Sequence, residues 1–449
     1  MGLFGTDGIR GVANAKLTPD LALRLGRAAG IVMGRSGGKS AVIGRDTRRS
    51  GGMLGAALAA GFNSAGIDTV SLGVVPTPTV SHAVRNGDDF QMGAVISASH
   101  NPAPDNGIKF LGDDGKKLTD EVEAAIESEM DTLPTAKGAE IGMLRQDRRP
   151  AEAYLQWLAG LLPERLDGFR IAVDCSNGAA HELAPRLLKQ LGAEINVIGN
   201  EPDGDNINKG CGATNPATIQ QLTKETGSVL GIAFDGDADR CIFSDENGVL
   251  INGDRTMGIW AAWHGATSIV GTVMSNMGFE ESLADLGISF ERTNVGDKYV
   301  ARRMDEIGAR IGGEQSGHLI FSEWTPTGDG LLTAIQMLRV LRLSGCAASE
   351  LPPVFENWPQ MLVNIGLSDK EVWKEALSLH KFIADKQSEL EGGRVVVRPS
   401  GTQPMIRVMV EAPDRARRDV VTEEIVEKIV SELGGEIHGR VDLTNALGD

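Results

Sequence analysis

One α/β unit occurs three times along this chain, and the repetition restricts the fold more than any other feature of the sequence. Each copy opens on a short β-rich run: Ala41-Val42-Ile43-Gly44, Arg170-Ile171-Ala172-Val173 and Ser268-Ile269-Val270-Gly271. A segment of helical period follows and is closed by a glycine (Gly66, Gly192, Gly287); a second strand-like run then ends on another glycine (Gly73, Gly199, Gly296). The paired glycines are seven, seven and nine residues apart. Glycine is suited to closing a helix because it enters the left-handed conformation without a Cβ penalty. The pattern predicts an α/β protein with three related mixed α/β domains.

At 449 residues the chain is too long for one core, so three or four domains are expected. The last part has a different pattern. Residues 372–390 and 418–433 read as helices, and 394–398 and 405–411 as strands, which predicts a smaller α+β domain. Segments 134–138 and 352–359 have the Pro, Gly and polar content of linkers. The expected division is 1–150, 151–252, 253–360 and 361–449.

A polar loop follows each repeat, at 97–102, 235–240 and 313–318, where open α/β sheets usually bind ligands. The first is Ser97-Ala98-Ser99-His100-Asn101-Pro102. Ser99 offers a nucleophile, provided that something removes its proton or draws charge from it. Neighbours on an extended segment point opposite ways, so His100 reads as a substrate or phosphate contact and not as the base for Ser99. Taken alone, the segment is equally well explained as a polar Asn-Pro turn.

The second loop is Asp235-Gly236-Asp237-Ala238-Asp239-Arg240, after a run that reads as a buried strand. Three like charges this close repel unless a cation or an arginine neutralises them. Carboxylates select hard ions such as Mg²⁺, which commonly assist phosphoryl transfer. An EF-hand is excluded, because its sixth position requires glycine and Arg240 stands there.

In the third loop, Gly313-Glu314-Gln315-Ser316-Gly317-His318, Glu314 and Ser316 can hydrogen-bond vicinal sugar hydroxyls, and His318 can shuttle a proton or touch phosphate. By itself it could be a glycine-flanked turn. A fourth segment, Arg398-Pro399-Ser400-Gly401-Thr402-Gln403-Pro404 with Arg407 beyond, has the chemistry of a phosphate clamp: guanidinium forks, hydroxyls and a glycine that lets backbone N–H groups approach an anion. The alternative is a solvated hairpin loop. Residues 34–40 resemble a Walker A loop but are one residue short and precede their strand. The remaining histidines (82, 181, 264, 380 and 438) read as surface or packing residues.

A formal net charge of −17 argues against a general nucleic-acid binder, without forbidding a local cationic pocket for a small anion. The four cysteines form no CxxC pair, so reduced thiols and a cytoplasmic location are expected, with no zinc site. No apolar run approaches a membrane span and no signal peptide opens the chain. Residues 1–6 match a loose myristoylation pattern but lack the polybasic patch that a stable anchor needs, so no membrane partner is expected.

The four segments occur once each, in this order, and their order and spacing resemble the α-D-phosphohexomutase superfamily over essentially the whole chain. Three further segments are similar to the branch that acts on glucosamine phosphates. They are Phe4-Gly5-Thr6-Asp7-Gly8-Ile9-Arg10-Gly11, the Gln315 of the third loop, and Asp205-Asn206-Ile207-Asn208 with Cys211-Gly212-Ala213-Thr214. The resemblance implies three related α/β domains and a smaller α+β domain around a central cleft. It implies that Ser99 carries a phosphoryl group, and that Asp235, Asp237 and Asp239 hold Mg²⁺ together with the Ser99 phosphate. Glu314 and Ser316 would read the sugar; Arg398, Ser400, Gly401, Thr402 and Arg407 would hold the non-reacting phosphate. Arg10, Lys109 and Arg240 would line the reacting end, and either Lys109 or His318 would transfer the proton.

The implied reaction converts glucosamine 6-phosphate reversibly to glucosamine 1-phosphate through a 1,6-bisphosphate, with a hexosamine or hexose 1,6-bisphosphate as activator. It would feed UDP-N-acetylglucosamine and peptidoglycan precursors. The implied partner is a small sugar phosphate, and the implied assembly a monomer or homodimer. Two alternatives remain: a phosphomannomutase/phosphoglucomutase of the same superfamily, and a non-catalytic sugar-phosphate sensor. One residue departs from the superfamily pattern, which usually has Glu where Gln403 stands. The amide keeps the shape and one acceptor, so a changed phosphate affinity is expected and not a lost activity. An unchanged Michaelis constant in Gln403→Glu would refute that.

Overall fold

A computed structural model describes residues 2–5, 7–34, 40–87, 89–390, 392–400 and 404–444. Gly401, Thr402 and Gln403, and most of the Walker-A-like stretch, lie outside the described residues. The structure has four sheets, and the first three share one plan. In the first, Ser40–Arg45 pairs in parallel with Thr69–Val74 and with Phe90–Ile96, and Asp105–Leu111 returns antiparallel to Phe90–Ile96. Ile9–Val12 and Leu144–Gln146 form its edges. In the second, Arg170–Asp174 pairs in parallel with Glu194–Ile198 and Leu230–Phe234, and Cys241–Ser244 returns antiparallel. In the third, Ser268–Thr272 lies parallel to Ser289–Thr293 and Ile311–Gly313, and Leu319–Phe321 returns antiparallel.

The expected repeat is therefore a repeat of topology. In every copy the last parallel strand is followed by the antiparallel return, and the loop between them carries the polar motif. The predicted glycines take the left-handed turns: Gly66, Gly192 and Gly287 have φ of +87°, +96° and +70°. The fourth sheet is antiparallel, ordered Arg394–Pro399, Met405–Glu411, Gln360–Gly366, Glu436–Asp442, and it is covered by the helices Leu377–Glu389 and Arg415–Leu433. Its phosphate-type motif also lies in a connection between antiparallel strands, after Arg394–Pro399.

One prediction here is corrected. Residues 372–390 do not form a single helix: a 3₁₀ turn, Lys370–Glu375, precedes the α-helix, and the chain breaks at Ala376, with φ −79° and ψ 60°. The rings of Trp373 and His380 pack 4.6 Å apart and hold the turn against the helix.

A continuous apolar core runs through the first three units, from Val42 through Tyr154 and Phe234 to Phe321. The fourth has its own core, including Val363, Val408 and Ile425. Met274, Leu362, Met409 and Leu443 join it to the third unit. Beside them Arg394 donates to Glu411 and to the carbonyls of Val273 and Ser275, while Glu411 accepts from the Met277 N–H. All four cysteines are free; Cys346 is exposed and the others are buried. No helix among the described residues is long and apolar enough to cross a membrane.

Candidate active site

Because each motif loop leaves its sheet where the strand direction reverses, packing the units together brings the loops face to face. Ser99, on the first sheet, donates from Oγ to Asp235 Oδ2 of the second at 2.6 Å. The loops meet without a gap: a Cβ on Gly236 would lie 2.4 Å from the Ser99 carbonyl oxygen, so only glycine fits there. Ser99 is 2% exposed and has φ +51°, a strained conformation for a residue with a Cβ. This corrects the extended geometry expected for the segment. The turn at Ser99 places Oγ 3.4 Å from His100 Nδ1, so the two side chains do not point apart.

A buried scaffold holds the turn. Arg48 donates to the carbonyls of Ser99 at 2.9 Å, Asn101 at 2.7 Å and Asp105 at 2.9 Å, and also to that of Pro102. Asp46 accepts from Arg48 Nε at 2.8 Å and from Ser97 Oγ at 2.5 Å, and Ser97 Oγ in turn accepts from the Ser99 N–H. Asn208, from the second unit, adds a hydrogen bond to the Ser99 carbonyl at 2.9 Å.

The three aspartates are all buried, and one ligand oxygen from each can be chosen so that all lie within 4.8 Å of one another. Asp237 Oδ1 and Asp239 Oδ1 are buried without a hydrogen-bond partner. Orphaned carboxylate oxygens converging in this way fit a hard divalent cation such as Mg²⁺, with the Ser99 oxygen beside them. Burial pushes the Asp235 carboxyl well above the usual range, and repulsion from Asp239 and Asp237 adds to it. Asp237 is also penalised by burial, but Lys109, Thr77 and Arg10 outweigh this and hold its pKa low. Thr77 Oγ1 and Lys109 Nζ donate to Asp237 Oδ2 at 2.6 and 3.2 Å.

Lys109 lies 3.2, 3.5 and 3.6 Å from carboxylates of Asp237, Asp7 and Asp239. Burial disfavours its charge, yet Asp237 and Asp239 prevail and raise its pKa. Arg10 pairs with Asp7 and reaches Asn101 Oδ1 at 3.4 Å; the Arg240 N–H donates to Asp235 Oδ1 at 3.2 Å. His318 Nε2 is 3.8 Å from carboxylate oxygens of both Asp239 and Asp297, and its Nδ1 is buried without a partner. The third loop is hooked onto the second by Cys241 N–H donating to the Gly317 carbonyl at 3.0 Å. Glu314 Oε1 accepts from the Gly296 N–H at 3.0 Å, and Ser316 is 6% exposed.

On the fourth sheet Arg398 and Arg407 are direct cross-strand partners. Burial lowers the Arg398 pKa, the like charge of Arg407 lowers it further, and Glu314 opposes both. The Ser400 N–H closes the loop on the Met405 carbonyl at 2.8 Å.

Several residues at this site are not singled out by sequence alone: Asp7, Asp46, Arg48, Thr77, Lys117 and Asp297. Two signals were available. Asp46 and Arg48 follow the first repeat's opening strand, and Asp297 follows the last glycine of the third repeat, both beyond strand ends. Nothing local marks Thr77 or Lys117.

A buried serine bonded to one of three converging carboxylates, with a histidine-bearing loop beside them and an arginine pair on the fourth sheet, is an arrangement suited to phosphoryl transfer on a sugar. Family models for phosphoglucomutase/phosphomannomutase match in order along the chain: α/β/α domain I over 1–137, domain II over 152–248, domain III over 252–356 and the C-terminal domain over 362–428. The chain belongs to the phosphoglucomutase/phosphomannomutase family and is an intramolecular phosphotransferase. It is 48% identical over 446 residues to the phosphoglucosamine mutase of Symbiobacterium thermophilum, covering 96% of this chain and 99% of that one. It is 44% identical over 445 residues to the phosphoglucosamine mutase of Bacillus cereus (strain AH187), with the same coverage. Among solved structures it is similar to a phosphoglucomutase/phosphomannomutase family protein from Burkholderia thailandensis. That match has a TM-score of 0.81 and 26% identity, and covers 97% of this chain and 98% of the other. The N-acetylphosphoglucosamine mutase of Aspergillus fumigatus, solved with GlcNAc-6P and magnesium, shares the fold at a TM-score of 0.70 and 18% identity, over 95% of each chain.

Proposed function

We propose that the protein interconverts glucosamine 6-phosphate and glucosamine 1-phosphate through phosphorylated Ser99. The observation that carries the chemistry is Ser99 Oγ held 2.6 Å from Asp235 in a buried pocket with two further carboxylates. The choice of sugar rests on relatives of 44–48% identity, nearly full length, that are named phosphoglucosamine mutases.

The phosphoryl group on Ser99 passes to the free hydroxyl of the bound sugar, giving a 1,6-bisphosphate. The bisphosphate turns end for end, and Ser99 takes back the other phosphoryl group. Arg398, Ser400 and Arg407, together with Gly401 and Thr402, hold whichever phosphate is not reacting, which a symmetric arginine pair can do for either end. Glu314 and Ser316 hold the sugar hydroxyls, and in-line positioning supplies much of the rate. Asp235, Asp237 and Asp239 would hold Mg²⁺, which would offset charge on the transferring group.

Lys109 is protonated here and neutralises the site beside Arg10 and Arg240, while His100 contacts the phosphoserine. His318, with a free buried nitrogen, is the better acceptor for the hydroxyl proton. A hexosamine or hexose 1,6-bisphosphate primes Ser99. We place the protein in the cytoplasm, as a monomer or homodimer in the supply of UDP-N-acetylglucosamine, with domains 1–150, 151–252, 253–360 and 361–449.

The test is phosphorus NMR with Mg²⁺, a trace of hexose 1,6-bisphosphate, and glucosamine, glucose or mannose 6-phosphate in parallel. Fastest appearance of the 1-phosphate from glucosamine 6-phosphate is expected. A preference for glucose or mannose overturns the sugar assignment but keeps the mechanism. No isomerisation of any of the three favours a sensor.

A further inference from the structure

We infer that Asp297 is the specificity-determining residue that recognises the ammonium group of an amino-sugar phosphate at the reacting end of the cleft. The inference rests on the glucosamine phosphate reading above and names the side chain that would enforce it.

Asp297 opens the helix Asp297–Ile307 directly after Gly296, whose N–H is bound by Glu314. That bond ties the start of this helix to the sugar-type loop. On its other side Asp297 Oδ2 lies 3.8 Å from His318 Nε2, which is equally distant from Asp239 in the cation site. Asp297 thus stands between the sugar-reading glutamate and the reacting end.

The carboxylate is ionised and has acceptor capacity to spare. Burial opposes its charge, but Lys117 and the neighbouring His318 outweigh burial and hold its pKa well below the usual range. Lys117 is shared, at 2.7 Å from Asp297 Oδ2 and 2.5 Å from Asp7 Oδ1. Asp297 Oδ1 accepts the Lys298 N–H at 2.8 Å. A carboxylate offers about four acceptor positions, and this side chain keeps 17% of its surface open.

Elementary sugar geometry supplies the rest. When the 6-phosphate occupies the arginine pair, O1 is at the reacting end, and the C2 substituent is its immediate neighbour. Glucosamine presents an ammonium there, whereas glucose and mannose present a hydroxyl. A buried anion attracts the first by charge and the others only as a hydrogen-bond acceptor.

The experiment compares kcat/KM at pH 7 for glucosamine 6-phosphate and glucose 6-phosphate in the wild type, Asp297→Asn and Asp297→Glu. Asp297→Asn is expected to lower the value for glucosamine 6-phosphate by about 10- to 100-fold, the scale of one charge-assisted hydrogen bond. The value for glucose 6-phosphate should fall by at least about tenfold less, so that the preference for the amino sugar narrows, and Asp297→Glu should restore part of that preference. An equal fall on both sugars, or an unchanged ratio, overturns the inference.

If Asp297→Asn does not fold, competition on the wild type decides. N-acetylglucosamine 6-phosphate, which keeps the nitrogen but not its charge, must bind more weakly than glucosamine 6-phosphate; equal binding overturns the inference. If the wild type itself prefers glucose 6-phosphate, the proposed substrate has failed. If it prefers glucosamine 6-phosphate and Asp297→Asn keeps that preference, only the role of Asp297 has failed.

Discussion

Ser99 sits in the left-handed region at φ +51°, and a conformation of this kind costs on the order of 1–3 kcal/mol for a side chain with a Cβ. Hydrogen bonds donated by Arg48 and Asn208 to its carbonyl, and its own N–H donated to Ser97 Oγ, offset that cost and hold the strained turn in a buried scaffold. Removing only the hydroxyl leaves this scaffold intact. Ser99→Ala should lower kcat at least about 10³-fold with an unchanged melting temperature; turnover comparable to wild type would eliminate the phosphoserine route. Asp237 is the aspartate with most external support, from Lys109, Thr77 and Arg10. Asp237→Asn should raise the Mg²⁺ concentration for half-maximal activity at least about tenfold, the scale on which even supporting groups tune metal affinity. A superimposable titration would deny its role as a ligand.

At the scale of elements, the helix Thr77–Asn86 links catalysis to packing. Its first residue, Thr77, holds Asp237, and its His82 ring packs 5.4 Å from Tyr154 and 4.9 Å from Trp157 on the helix Arg149–Gly160. Burial, with a smaller contribution from Arg85, lowers the His82 pKa to about 4 from an ordinary 6.5. The unfolded chain therefore takes up the proton first as pH falls. Stability from the neutral ring is fully present above pH 6.5 and is lost as pH drops through 4, amounting to about 2–3 kcal/mol. His82→Phe keeps a ring in the cluster and should flatten this acid limb. Urea unfolding at pH 7 and pH 4.5 measures it, and an equal loss in both proteins would mean that His82 is not the titrating group.

At the scale of the molecule, three units share one core while the fourth keeps its own; it packs Leu362, Met409 and Leu443 on Met274 of the third, and its buried Arg394–Glu411 pair bonds backbone groups of Val273, Ser275 and Met277 there. Relative motion of domains is the default unless their interface is large and hydrophobic, and the arginine pair lies on the fourth unit. Glu411 is 0% exposed. Truncating it leaves the guanidinium of Arg394 short of its counter-charge, a change that costs about 3–5 kcal/mol when the pair is buried. Calorimetry of Glu411→Ala should show an early transition splitting from the main one. A single peak at the wild-type temperature would mean that the carbonyls of Val273 and Ser275 suffice to hold Arg394.

By itself, the sequence determined the repeat, most strands, the glycine turns and the chemical character of each loop. These follow from local periodicity and from backbone conformations that few residues adopt. It could not bring Ser99 to Asp235, turn His100 toward Ser99, or bury Arg48 beneath the nucleophile loop. Nor could it pair Lys117 of the first unit with Asp297 of the third. Ser99 and Asp235, like Lys117 and Asp297, come from different sheets; Arg48 and Ser99 are 51 residues apart on one sheet, and the direction of His100 depends on the left-handed turn at Ser99, so tertiary packing sets these distances. The same packing buries the three aspartates and leaves oxygens of Asp237 and Asp239 without a partner, which no reading of a run of acids could show.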